Sequence, residues 1–129
     1  MTDWNDLVFR FRNQALTRYE WTHEAHLIVA LWFLLEYESV ERALPNFRSA
    51  LILLNRSFGK ANANPHETIT GFWLREIDVF IRKNESRDFS ILAIKLLEES
   101  AFFERDYIRR FYSKEVLSNL ASKTTYIAP

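Results

Sequence analysis

Ala25-His26-Leu27-Ile28-Val29-Ala30-Leu31-Trp32-Phe33-Leu34-Leu35 is the stretch on which the reading of this chain turns. It holds no glycine or proline, and its apolar residues cover every face at helical spacing. A helix that is apolar all round sits at the centre of a bundle. The unbroken apolar run from Leu27 to Leu35 is too short for a bilayer, which takes about 20 residues. Upstream, Thr17-Arg18-Tyr19-Glu20 has capping-box form, a hydroxyl followed three residues later by Glu. This predicts a long core helix from that point to near Tyr37.

Working outward, the same periodicity continues. Leu7, Phe11 and Ala15 mark one face of a short first helix. Ser39 is placed to cap a third, in which Pro45 predicts a kink or a restart. Phe47, Leu51, Leu54 and Phe58 carry that helix to Gly59, a left-handed stop. A loop, Gly59 to Asn64, follows. Asn64-Pro65-His66-Glu67 then reads as Asn at the N-cap, Pro at the first helical position and Glu at the third. The helix it opens turns Ile69, Trp73, Ile77, Phe80 and Ile81 inward. After a turn at Asn84 to Arg87, Asp88 caps a helix bearing Ile91, Leu92, Leu96 and Leu97. A shorter one holds Phe103, Tyr107, Ile108 and Phe111. Ser113 caps a last one through Leu117 and Leu120, and the tail Lys123 to Pro129 is extended. The sequence thus predicts an all-α fold. Residues 1–129 form one compact bundle of five to seven helices around the central apolar helix.

Composition agrees. Of 129 residues, 48% are hydrophobic and 16% aromatic, enough for a packed core. Two glycines and three prolines are too few for the turns of an all-β fold. Seventeen basic and seventeen acidic residues cancel, so no electrostatic footprint for nucleic acid is present. Without cysteine there are no disulfides or thiolate metal sites. The first residues carry neither a cationic head nor an apolar signal run. A soluble cytoplasmic protein that binds neither membrane nor nucleic acid is the expectation. High aromatic content with zero net charge favours a homodimer.

Chemistry centres on the histidines, His23, His26 and His66. The first two are three apart, so their rings share a helix face, and that face continues through Leu27, Ala30 and Leu34. His66 heads the face of Ile69, Thr70, Trp73 and Ile77. All three are aimed into the core. Neutral imidazole is the commonest metal ligand, and burying two without partners is costly. The competing reading is a hydrogen-bonded core network. Glu20 and His23 have the Glu-x-x-His spacing of di-metal bundles, which need it twice; here it occurs once. Glu24 and Glu67 are the other nearby carboxylates. Capping boxes account for Glu20 and Glu67 without any chemistry.

Other features are weaker. Arg105, Arg109 and Arg110 alternate with aromatic residues, but Glu104 and Asp106 cancel their charge, which describes a surface helix. Arg48 and Asn55, seven apart beside the apolar stripe, suit an anionic group of a substrate, or salt bridges and a cap. Trp21, Trp32 and Trp73 read as core and Trp4 as an N-terminal anchor.

Trp21-Thr22-His23-Glu24-Ala25-His26-Leu27 and His66-Glu67-Thr68-Ile69-Thr70 resemble the motifs of a family of small bacterial proteins without an assigned function. These are Trp-x-His-x-Ala-His-Leu, then Tyr-His-Glu-Thr-x-Thr, with Tyr-Tyr-Ser near the end. The likeness spans Glu20 to Ser113 and takes in Asn55. Asn64-Pro65 stands where Gly-Tyr is usual, and Phe111-Tyr112-Ser113 replaces Tyr-Tyr-Ser. The resemblance implies one constellation of His23, His26, His66 and Glu67. The functional expectation is a metal-dependent protein acting on a small-molecule substrate. The three histidines would ligate Zn, Fe, Mn or Ni, with Glu67 a fourth ligand or a catalytic general base. The alternatives are a helical binding or assembly module, and metal-free acid–base chemistry by the same histidines.

Overall fold

In a computed structural model of the chain, which describes residues 3–99 and 104–129, the architecture is all-helical. In chain order it comprises α1 (Trp4–Arg12), α2 (His23–Tyr37), α3 (Val40–Ser57), α4 (Glu67–Arg82) and α5 (Phe89–Glu98). A 3₁₀ helix (Arg105–Arg110), α6 (Lys114–Ser118) and α7 (Leu120–Thr124) complete it. No described helix is long and apolar enough to cross a membrane.

The central helix is α2. Ala25, Leu27 to Leu31, Phe33 and Leu34 are all buried, and α1, α3, α4 and α5 pack around it. Each large aliphatic side chain buried this way is worth about 1.5–3 kcal/mol. The helix begins later than the sequence suggests. Thr17 and Glu20 do form the reciprocal box, with Thr17 N–H donating to Glu20 Oε1 (2.9 Å) and Glu20 N–H to Thr17 Oγ1 (3.3 Å). It closes an isolated turn, and Thr22 caps α2 through the Ala25 N–H (3.2 Å).

Ser39 caps α3 as expected. No restart occurs at Pro45, and α3 runs continuously through it. Pro45 lies in the second turn and is exposed, and the carbonyl that its missing N–H leaves unbonded belongs to Glu41, also exposed. Gly59 takes the left-handed conformation, φ 74°. The start of α4 is a correction: His66 is its N-cap and Glu67 its first residue. The Asn64 N–H is held by Asn62 Oδ1 (3.1 Å), not by Glu67. In α5, Leu92 and Leu96 are buried but Ile91 is exposed. Ala15 lies beyond α1 and is exposed. Phe103 falls outside the described residues. The last helix is two short ones, divided at Asn119, and Leu120 is exposed.

The C-terminal segment is a strap along α4. Fully buried Thr68 donates to Thr125 O (3.1 Å) and accepts from Ile127 N–H (3.1 Å). Tyr112 OH donates to Ile127 O (2.6 Å). Arg75 lies over the Tyr126 ring at 3.8 Å. Gly71 makes room for this contact, since a Cβ there would sit 2.6 Å from Tyr126 Cδ1 and 2.7 Å from Arg75 Nη1.

Gly71→Ala therefore destabilises the full chain by about 1–3 kcal/mol, the usual cost of overpacking, although Ala is the better helix former by about 1 kcal/mol. In a chain ending at Thr124 the same substitution becomes neutral or stabilising. Urea unfolding of the four proteins checks this, and an equal loss in both backgrounds would separate Gly71 from the strap.

Candidate functional site

The N-terminal turns of α2 and α4 meet at a cavity of about 600 Å³. His23, His26 and His66 all line it, so the structure brings the three sequence-predicted histidines to one space. Its floor is apolar, with Leu27, Ala30 and Leu51 among others, and Trp21, Trp73 and Asn55 stand in its walls. Lys60 of the loop and Arg105 of the 3₁₀ helix complete the lining.

The histidines are held differently. His26 stacks on Trp21, ring centroids 3.8 Å apart at 28°, and Trp21 stacks in turn on Phe11 at 4.9 Å. Among the described residues His26 makes no ring hydrogen bond, and no side-chain nitrogen is both buried and unpartnered. Its ring lines the cavity. Burial first, then repulsion from His23, Lys60 and Arg105, lowers its pKa to about 3. His26 is thus a neutral imidazole at physiological pH. His23 meets the Trp73 ring edge-on at 5.1 Å.

His66 is structural in both nitrogens. Nδ1 accepts the Ile69 N–H (3.2 Å) and caps α4. Nε2 lies 2.7 Å from Leu117 O. An accepting Nδ1 leaves the proton on Nε2, which donates to that carbonyl. As folded, His66 has no lone pair to offer a metal.

The carboxylates lie elsewhere. Glu67 is clasped by Arg48, Nε to Oε1 2.7 Å and Nη2 to Oε2 2.9 Å, and does not line the cavity. Glu20 is bound by Arg10 through both oxygens. Hydrogen bonds from Arg10, with the Thr17 N–H adding, hold its pKa at about 2. Glu20 and Glu24 border a separate, smaller hollow beside α1. Among the described residues no group of three or more His, Asp or Glu side chains is arranged to hold a metal ion. Residues 64–67 read as a capping box conceal this arrangement, because the cap belongs to His66 and the ion pair reaches across to α3.

Asn55, buried, donates to Ala63 O (3.0 Å) and pins the loop that carries Lys60. Lys60 and Arg105 are cavity residues that the sequence does not place there, Lys60 being left in a loop and Arg105 read as part of a surface helix. One sits in a loop without periodicity, and the other in a segment whose summed charge is balanced. Their place depends on where the loop and the 3₁₀ helix fold back.

Two outcomes follow. An unfolded imidazole protonates near pH 6.5, and His26 in the fold only near 3. Above 6.5 both states are neutral and stability is full. As pH falls from 6.5 toward 3 the unfolded state gains a proton that the native state refuses, and stability is lost by up to about 1.4 kcal/mol per pH unit. Unfolding free energies measured between pH 6.5 and 4.5 should fall more steeply for the parent than for His26→Phe, whereas parallel curves would show that His26 titrates normally. For Glu67, an ion-pair role makes Glu67→Gln and Arg48→Gln non-additive. A double-mutant cycle should return a coupling of about 0.5–1 kcal/mol, against zero if the two side chains act separately.

No protein-family model matches the chain, and no curated protein or solved structure matches it, so the chemistry of this cavity stands on its own geometry.

Proposed function

We propose that this protein binds a small organic molecule in the cavity between the N-terminal turns of α2 and α4. The observation that carries the reading is His26, a neutral imidazole that lines the cavity and that no described residue hydrogen-bonds. Polar groups at the edge of a core are almost always matched by a partner, and a bound ligand would supply one here. The rest of the lining suits a binding site. An apolar floor with a few convergent polar groups and aromatic walls is the usual composition of small-molecule pockets. His26 offers one donor and one acceptor, and its stacking on Trp21 fixes the ring plane.

The metal-dependent reading draws on the adjacent imidazoles of His23 and His26. It requires a ligand set other than the three histidines as they stand, because His66 is engaged at both nitrogens. Elemental analysis of tag-free protein distinguishes the two. Stoichiometric Zn, Fe, Mn or Ni favours the metal-dependent reading; binding of organic ligands by metal-free protein favours ours.

The direct test is a ligand-observed NMR screen of small organic fragments against the parent and His26→Phe. Phenylalanine keeps the stacking on Trp21 and removes both nitrogens. Fragments that bind the parent and compete with one another should weaken at least about tenfold in the variant, equivalent to about 1.4 kcal/mol. Fragments that bind both proteins equally would remove His26 from the site.

A further inference from the structure

The charge of the cavity lining is one-sided. The chain carries as many acidic as basic residues, yet none of the described acidic residues lines the cavity, whereas Lys60 and Arg105 both do. Neither of these cations forms an ion pair among the described residues. They stand on separate elements, the loop after α3 and the 3₁₀ helix, and both bear electrostatically on His26, so their charge reaches the cavity wall. Backbone dipoles add to this. Thr22 and His23 at the start of α2, and His66 at the start of α4, all border the cavity. Two helices of 15 and 16 residues thus turn their positive ends toward it. The acidic residues of those first turns, Glu24 and Glu67, are off the lining, and Glu67 is already neutralised by Arg48.

We propose that the cavity takes a small organic anion, a carboxylate or a phosphate carried on an apolar body, with Lys60 and Arg105 holding the charged group. The inference rests on the small-molecule reading above and adds the charge of the ligand. The apolar body lies against the floor of Leu27, Ala30 and Leu51, and His26 meets a polar atom of the ligand. A ligand cation would face two uncompensated positive side chains and two helix N-termini. A neutral ligand would leave both cations without a counter-charge.

Calorimetric titration of the full chain with 2-naphthoate, 2-naphthyl phosphate and neutral 2-naphthamide, at low and high salt, tests this. At least one anion should bind about tenfold or more tighter than the amide, and the advantage should shrink in high salt. Comparing the two anions tells which group the site prefers. In the Lys60→Gln, Arg105→Gln double variant the anion should lose its advantage while 2-naphthamide binds as before. Both residues are exposed, so the substitutions leave the core intact. If the amide binds the parent as tightly as both anions, the charge inference is overturned and the small-molecule reading stands. An anion preference that survives the double substitution overturns the assignment to Lys60 and Arg105. If none of the three probes binds, both the inference and the reading beneath it fail.

Discussion

A helix that is apolar on every side has to be enclosed on every side. That constraint on α2 organises the protein: α1, α3, α4 and α5 each cover part of it, and the residues from Leu27 to Leu31 are almost wholly removed from water. The enclosure loosens at the N-terminal turn of α2, where the apolar run gives way to His23 and His26. The neighbouring elements do not close over these two rings but leave the cavity that both of them line. The core and the site are consequences of one helix whose character changes along its length.

The second organising element is His66. Through Nδ1 it starts α4 and through Nε2 it holds Leu117 of α6, so one ring joins a helix N-terminus to a segment about fifty residues away in the chain. The C-terminal strap extends the same connection along α4, through Thr68, Gly71 and Tyr126. A second, smaller core of Phe72, Ile108 and Tyr112 forms beneath it. The cavity is bounded on one side by the α2 core and on the other by the start of α4 and the 3₁₀ helix, through His66, Arg105 and Ile108.

The electrostatics of the site differ from those of the whole chain. Zero net charge describes the average, but the acidic side chains near the histidines are drawn aside. Arg10 takes Glu20 and Arg48 takes Glu67. What remains facing the cavity is neutral or cationic, and its repulsion adds to burial, the larger cause, in keeping His26 uncharged. Removing the carboxylates is as much a part of building the site as placing the imidazoles.

Much of this was legible in the residues alone. Helical periodicity identified α2 as the centre, because burial on all faces needs no knowledge of partners. Ser39, Gly59, Asp88 and Ser113 marked element ends through local backbone chemistry, and the i, i+3 spacing placed His23 and His26 together. Only tertiary structure decided the rest. Capping boxes at Thr17 and Asn64 satisfied the local rule, yet the helices start at His23 and Glu67. Thr17 and Glu20 close a separate turn, and distant Leu117 holds the ring that caps α4. Arg48 and Glu67 lie nineteen residues apart, and nothing in either segment announces their pairing. Lys60 and Arg105 reach the cavity from a loop and a short 3₁₀ helix. Sequence periodicity reports which face of an element is buried; it carries no information about which distant side chain will meet it, because that is set by how whole elements pack.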